Sequence, residues 1–171
     1  MPPRRPPFDQ WPAQHTDPHY GYVWYLGKGL IVSHITVAHG SNEAARAYHD
    51  FEEAILADHA AEVRAAEGIF VIHDWRAMES YDASARAVWQ ERMRQRPKGY
   101  LRGSVVCVAR ANSLLKMAVQ AANVVASVIH GAKVELTTDL AAALEQHGAE
   151  RPPSIRPRAD RFSVPPGAGR R

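Results

Sequence analysis

Near its middle the chain reads Ile69-Phe70-Val71-Ile72, and this stretch decides the fold class. All four residues are large and apolar; three are β-branched and one is aromatic. This composition predicts a strand buried on both faces. A second run of the same kind follows at Val105-Val106-Cys107-Val108-Ala109. Strands buried on both faces are typical of a parallel sheet covered by helices, so we expect an α/β fold.

Working outward, the remaining elements alternate between strand and helix patterns. Residues 20–27 and 30–38 are rich in aromatic and β-branched residues and flank Lys28-Gly29, which predicts an antiparallel hairpin. Apolar residues at helical spacing predict four helices, over residues 42–65, 83–96, 113–130 and 140–147. With a last strand at residues 133–137, the predicted order is ββαβαβαβα, a mainly parallel sheet that begins with a hairpin.

The prolines divide the chain into a central domain and two ends. Six of the 12 prolines lie in residues 1–19 and five in residues 149–171. Proline fixes φ and removes a backbone donor, so these ends are not expected to form regular structure. We therefore predict a Pro-rich disordered tail at 1–19, a folded domain at 20–148, and a Pro/Arg-rich basic tail at 149–171.

The positive charge belongs to the C-terminal tail. Residues 151–171 hold six arginines and one aspartate, a net charge of +5, whereas the whole chain carries +3. Residues 1–19 sum to zero, which leaves −2 for residues 20–150, so the domain is slightly acidic. A basic tail suits an anionic surface, a nucleic acid or an acidic protein, and it also suits a segment that only aids solubility.

The composition gives little sign of catalysis. Nine histidines include no pair at i, i+4 within a predicted helix, and the single cysteine has no cysteine partner, so no metal site or cofactor is expected. No Walker loop, G-x-G-x-x-G fingerprint or nucleophile elbow occurs. His73-Asp74, at the end of a buried strand, is the best acid/base candidate, with a simple polar strand end as the alternative.

A more specific pattern follows that strand. Asp74 precedes the stretch Tyr81-Asp82-Ala83-Ser84-Ala85, which opens a helix. This arrangement resembles the STAS family, found in sulphate transporters and bacterial anti-sigma-factor antagonists, in which an aspartate after a strand leads to an Asp-Ser-Ser-Gly turn. Ala83 and Ala85 stand where that family has serine and glycine. The hairpin and long first helix are similar to the SpoIIAA-like branch, which is related to lipid-binding CRAL-TRIO folds.

The resemblance implies a non-enzymatic, bacterial signalling module that binds a protein partner: a kinase, a sigma-regulatory protein or an assembly subunit. Asp82 corresponds to the aspartate of the turn and Ser84 to its phosphorylatable serine. A phosphate at Ser84 would add about two negative charges beside a helix N-terminus. The predicted docking surface adds Asp74 and the basic side of the helix after the turn, which carries Arg86, Arg92, Arg94 and Arg96.

Two other functions stay open at this stage. The third predicted helix is rich in small residues, which suits either tight packing on the sheet or the wall of a pocket for a small ligand or lipid; these residues are Ala118, Ala121, Ala122, Ala126 and Ser127. The tails suit a subunit held in a larger assembly. The most apolar stretch, residues 118–129, is shorter than a membrane span, and no signal-peptide pattern is present, so a cytoplasmic protein is expected.

Overall fold

The structure is a computed structural model that describes residue 5, residues 7–17 and residues 19–149. A single 3-10 turn, Phe8–Gln10, comes first. Eight strands follow along the chain: β1 (His15–Asp17), β2 (Gly21–Gly27), β3 (Leu30–Ile35), β4 (His39–Gly40), β5 (Ile69–Asp74), β6 (Ser80–Tyr81), β7 (Leu101–Cys107) and β8 (Lys133–Thr137). The helices are α1 (Asn42–Asp58), α2 (Ala60–Ala65), α3 (Ala83–Gln95), α4 (Ser113–His130) and α5 (Leu140–Gln146).

Six of the strands form one mixed sheet in the order β1-β2-β3-β5-β7-β8. The first three pair antiparallel, and β3, β5, β7 and β8 are parallel. The α/β class and the mainly parallel sheet are thus confirmed. The chain also forms three strands that the sequence did not predict: β1 at the sheet edge, and the short β4 and β6, which pair with each other.

Side-chain caps set the starts of three helices. Ser41 Oγ accepts the Ala44 N–H, Asn112 Oδ1 accepts that of Leu115, and the Asp139 side chain accepts that of Ala142. Gly131, with φ of 68°, ends α4 in the left-handed conformation that glycine adopts most readily. The predicted first helix is divided, because His59 leaves helical geometry between α1 and α2.

The sheet has two differently covered faces. The face beneath α1, α3 and α4, hereafter the helical face, carries aliphatic residues such as Ile31 and Val71. The opposite face, hereafter the aromatic face, is covered by the N-terminal segment and α5. Its buried cluster brings together residues from both ends of the domain: Phe8, Trp11, Tyr22, Trp24, Val32, Ile72, Cys107, Leu140, Leu144 and Ala149.

The predicted N-terminal tail is wrong for residues 8–17. Phe8 is fully buried and Trp11 is 2% exposed, and β1 adds a strand to the sheet. Proline does not prevent this burial, because the segment is held by contacts that need no regular backbone structure. For example, the indole N–H of Trp24 donates to the Pro12 carbonyl over 2.6 Å. The basic segment 150–171 lies outside the described residues.

Candidate functional site

A cavity of about 160 Å³ lies between the helical face and helices α1, α3 and α4. Its walls are mainly apolar. They include Val71 and Val106 from the sheet and Trp89 from α3. A largely apolar, concave space that reaches the surface is the usual form of a small-molecule site.

Small residues on the helices leave this space open. Ala85 of α3 and Ala118, Ala122 and Ala126 of α4 line the cavity, and larger residues in their place would fill it. The sequence predicted that five small residues of α4 form either a packing surface or the wall of a pocket. Four of them line the cavity, and Ser127 does not. Asn112 also fixes where α4 begins, since its amide donates to the Met78 carbonyl over 3.0 Å.

Two polar side chains lining the cavity have unsatisfied nitrogen atoms. Neither ring nitrogen of His49 makes a hydrogen bond within the described structure, although the residue is only 2% exposed. Its Nδ1 lies 3.5 Å from Oε2 of Glu52, at ion-pair distance. The buried indole N–H of Trp75 likewise has no acceptor among the residues that the structure describes. A buried polar group without a partner is costly and points to a ligand, a water or a functional role.

A third polar residue, His73, is held neutral at the wall. Its Nδ1 lies 3.1 Å from Ser33 Oγ and 3.2 Å from the Tyr48 hydroxyl. Burial lowers the pKa of His73 to about 4, against the attraction of Glu52. A neutral imidazole therefore faces the cavity at neutral pH.

A buried ion pair closes the cavity on the α1 side. Arg96 lies 3.4 Å from Glu52 and donates to the Tyr100 hydroxyl over 2.7 Å. Burial opposes the charge on Glu52, but nearby His49 and Arg96 outweigh burial and lower its pKa. Glu52 is consequently a buried negative charge that His49 stabilises most and Arg96 next.

The exposed rim of the cavity carries a free cation. Arg86, on the first turns of α3, lines the cavity and is exposed. No ion pair to its side chain is found within residues 7–17 and 19–149. A guanidinium at the mouth of an apolar cavity is suited to an anionic group such as a carboxylate.

The predicted site residue Asp74 lies on the other side of the sheet. It is 1% exposed and accepts hydrogen bonds from His34 Nδ1 over 2.7 Å and Arg76 Nε over 2.7 Å. Burial would raise the pKa of Asp74, but these two partners outweigh it and lower that pKa. Asp74 is therefore committed to a structural cluster and is not exposed for docking.

His73 and Asp74 do not form the acid/base pair considered from the sequence. Adjacent residues of a strand point to opposite faces, so His73 joins the helical face and Asp74 the aromatic face. The histidine that meets Asp74 is His34, its register partner across β3 and β5.

Asp82 and Ser84 lie where the sequence predicted, at the start of α3. Asp82 occupies the N-cap position but makes no capping hydrogen bond; its carboxylate accepts from His39 Nε2 over 2.9 Å instead. Asp82 therefore precedes α3 without capping it. Ser84 is exposed in the first turn of the helix.

The four arginines of the predicted docking surface have different surroundings. Arg92 contacts Glu53 at 2.6 Å and Asp50 at 3.5 Å, both on α1. Arg96 is nearly buried against Glu52, whereas Arg86 and Arg94 are exposed. Two of the four charges are consequently neutralised within the domain, and docking through this face stays a prediction.

Other reactive groups are buried or dispersed. Cys107 is fully buried, and burial raises the pKa of its thiol to about 12, so the thiol stays protonated. Among the residues that the structure describes, no group of three or more His, Cys, Asp or Glu side chains is placed to hold a metal ion.

Helix α4 has the length and composition of a membrane span, which the shorter stretch 118–129 did not suggest. It is the one such helix in the described part of the chain, and 22% of it is buried. Its buried residues Leu115, Val119 and Ala126 belong to the hydrophobic clusters of the domain, an arrangement compatible with a soluble protein.

Sequence reasoning missed the polar residues of the cavity. His49, Trp75 and Trp89 come from α1, the segment after β5, and α3, and no local motif links them. The one signal in the sequence was that His49 directly follows Tyr48, an apolar residue on the buried side of the first predicted helix. Comparisons with protein-family models, with curated proteins and with solved structures gave no match.

Proposed function

We propose that the chain is a STAS-like binding module whose helical-face cavity holds a small apolar molecule that carries a hydrogen-bond acceptor. The observation that carries this proposal is the pair of unsatisfied side chains, His49 and Trp75, on the wall of an otherwise apolar cavity. A ligand that supplied the missing partners would recover the cost of burying them.

The cavity volume limits the size of the ligand. An apolar protein cavity of roughly 150 Å³ is large enough for benzene. The present cavity, about 160 Å³, therefore suits a single aromatic ring or a short acyl chain. Its opening to solvent leaves room for a polar group to project outward.

The polar atoms define the chemistry of that group. An indole N–H can only donate, so Trp75 requires an acceptor oxygen. Arg86 at the rim favours a negative charge on the acceptor. Small aromatic or aliphatic carboxylates combine the two properties and are the proposed ligand class.

The architecture supports the STAS-like part of the proposal. The described chain has an antiparallel hairpin (β2 and β3), parallel strands alternating with helices, and a closing helix, α5. A binding rather than catalytic role is supported by the protonated thiol of Cys107 and the fully paired carboxylate of Asp74.

Titration of the purified protein with phenylacetate and hexanoate tests the proposal. Trp75 and Trp89 line the cavity, so we expect saturable changes in tryptophan fluorescence, confirmed by calorimetry. Ala118→Leu places added volume in the cavity and is expected to weaken binding at least about tenfold. Ala87→Leu, on exposed α3 surface outside the cavity, is the matched control and should bind like the parent. Absence of saturable binding by either compound, and of a co-purifying ligand in native mass spectra, would refute the proposal.

Docking of a protein partner at the start of α3 is a second proposed function. The observation in its favour is that Ser84 is exposed in the first turn, beside the partly exposed pair of Asp82 and His39. Capture of partners from the native cell by wild-type and Ser84→Asp protein tests it. Equal capture of every partner by both proteins would remove the support for a switch at Ser84.

A further inference from the structure

Four of the five large apolar side chains that the described structure leaves in solvent lie on one helix, α4. Among the described residues, those more than a third exposed are Leu114, Met117, Val124, Val128 and Leu136. The first four belong to α4, and the fifth to β8, the sheet edge against which α4 packs. Val128 is 79% exposed and Met117 68%. A contiguous exposed apolar surface usually marks an interaction site.

The exposed residues of α4 follow a coiled-coil spacing. Together with exposed Ala121 they recur at intervals of three, four, three and four residues, which places them in one row along the helix, hereafter the α4 stripe: Leu114, Met117, Ala121, Val124 and Val128. The opposite side of the helix holds buried Leu115 and Val119. Both sides of α4 are therefore apolar, and the domain covers only one of them.

We propose that the α4 stripe is a homodimer interface, in which α4 packs antiparallel against α4 of a second copy about a two-fold axis near Ala121. Such an interface requires that one patch be complementary to itself. The α4 stripe meets this requirement because Leu114 and Val128 each lie seven residues from Ala121, its smallest residue, and Met117 and Val124 lie four and three residues from it.

The antiparallel arrangement matches side-chain sizes along the stripe. Ala121 meets Ala121 of the second copy at the centre, where small side chains allow the helices to approach. Met117 then lies opposite Val124 of the second copy, and Leu114 opposite its Val128. A parallel pair would instead place Met117 on Met117 and Leu114 on Leu114, with valines paired at the other end.

The charges also favour a second copy over a lipid surface. Lys116 is the only lysine, arginine, aspartate or glutamate of α4, and its Nζ donates to the Arg110 carbonyl over 2.7 Å. Dimerisation through the α4 stripe therefore removes no ionised side chain of that row from water. Helices that lie on membranes usually carry several lysines and arginines beside their apolar side, and α4 does not.

The size of the surface sets the expected affinity. Helix α4 has 18 residues, so it is about 27 Å long and roughly 10 Å wide. That footprint is about a third of the roughly 800 Å² that each partner contributes to a stable complex. Exposed Leu136 enlarges the surface only modestly. The dimer is therefore weak, with an expected dissociation constant of about 10 to 100 µM.

Sedimentation equilibrium of the full chain tests the dimer, over about 5 to 500 µM protein. Val124→Glu is expected to raise the dissociation constant roughly 100-fold, because two-fold symmetry places two carboxylates in the apolar interface. Ala87→Glu adds the same charge to exposed surface of α3, away from the α4 stripe, and should leave the constant unchanged. Neither Val124 nor Ala87 lines the cavity, so this test is independent of ligand binding. Circular dichroism and the melting temperature verify that both variants fold.

A charge-pair variant tests the orientation. Met117→Lys combined with Val124→Glu places lysine opposite glutamate in an antiparallel dimer, and dimerisation is expected to return to within about tenfold of wild type. In a parallel dimer like charges would meet, and a failure to recover would overturn the antiparallel arrangement. A wild-type chain that is monomeric throughout the range would overturn the dimer itself. Binding of that monomer to anionic phospholipid vesicles, lost in Val124→Glu, would identify a membrane as the occupant instead.

Discussion

The two faces of the central sheet are built to different degrees of completeness. On the aromatic face, Trp24 stacks on Phe8 at 4.9 Å and on Tyr22 at 5.6 Å, and Asp74 is paired on both oxygens. On the helical face a cavity remains, and His49 has no hydrogen-bond partner among the described residues. The same strands thus support a core filled by side chains on one side and a core with a cavity on the other. Polar pairing does not separate the faces, since His34 Nε2 on the aromatic face is also buried without a partner among residues 7–17 and 19–149.

The difference follows from what covers each face. The aromatic face is covered partly by an irregular segment, whose backbone can follow the surface and bring Phe8 and Trp11 into contact. The helical face is covered by regular helices, and the alanines of α3 and α4 leave space between these helices and the sheet. The N-terminal segment is accordingly expected to contribute to stability through the aromatic face, and ligand binding to depend on the helical face.

Removal of residues 1–13 should have the largest effect. It deletes Phe8 and Trp11, both essentially buried, and exposes the Trp24 indole. Loss of a buried Phe or Trp side chain costs about 3–5 kcal/mol, so we expect the free energy of unfolding to fall by at least about 5 kcal/mol. Urea denaturation followed by tryptophan fluorescence measures this change.

A shorter truncation provides the control. Removal of residues 1–4 retains both aromatic side chains and is expected to leave the unfolding midpoint within error of the parent. If the long truncation also left it unchanged, the N-terminal segment would be a dispensable tail, as the proline pattern first suggested.

The proline pattern misled because it reports only on regular structure. The prolines predict that residues 1–14 form no regular helix, and the described part of that stretch, residue 5 and residues 7–14, holds one 3-10 turn and no α-helix. They do not exclude burial, which Phe8 and Trp11 achieve without periodicity. By contrast, the runs at residues 69–72 and 105–109 predicted two strands that the structure contains, because strands buried on both faces are continuously apolar; the second strand spans Leu101–Cys107 and so begins earlier and ends two residues before the prediction.

The cavity was less predictable, because it is made by residues far apart in the chain. His49, Trp75 and Trp89 meet only after the sheet has formed. The opposite placement of His73 and Asp74, however, follows from the two-residue period of a strand and was available from the sequence. The spacing of the α4 stripe was also visible, but a helix that is apolar on both sides gives no indication of which side the sheet covers.

Replacement of one histidine on each face by phenylalanine sharpens the comparison. His34→Phe removes the 2.7 Å contact to buried Asp74, and we expect a loss of about 3 kcal/mol. His49→Phe keeps the packing against Trp89, at 4.5 Å between ring centroids, and removes two unsatisfied nitrogens. We expect loss of the 3.5 Å contact between His49 and Glu52 to offset the gain from this removal, so that stability changes by less than about 1 kcal/mol while carboxylate binding weakens.

Denaturation and calorimetry of both variants decide between a structural and a binding role for His49. A loss of stability comparable to that of His34→Phe would show that the contact with Glu52 is part of the fold, and that the cavity has no unsatisfied group to offer a ligand.

Acid should weaken the helical face before the aromatic face. The folded-state pKa of His73 is about 4, below its ordinary value of 6.5. Between these values the unfolded chain binds a proton that the folded chain does not, so stability is complete above pH 6.5 and falls as the pH approaches 4. A drop of about 2.5 kcal/mol is expected between pH 7 and 4.5.

The neighbouring residue on the aromatic face responds in a lower window. The pKa of Asp74 is held below its ordinary value of 3.8, so its contribution is present above that pH and is lost only as the pH falls through the depressed value. His73→Gln should therefore flatten the decline between pH 7 and 4.5 and leave the steeper loss at lower pH. His39→Gln, which changes an exposed histidine, is the control and should retain both phases. If His73→Gln left the fall in stability between pH 7 and 4.5 unaltered, His73 would be protonated freely in the folded state. The cavity on the helical face would then be a water-filled cleft instead of an apolar ligand site.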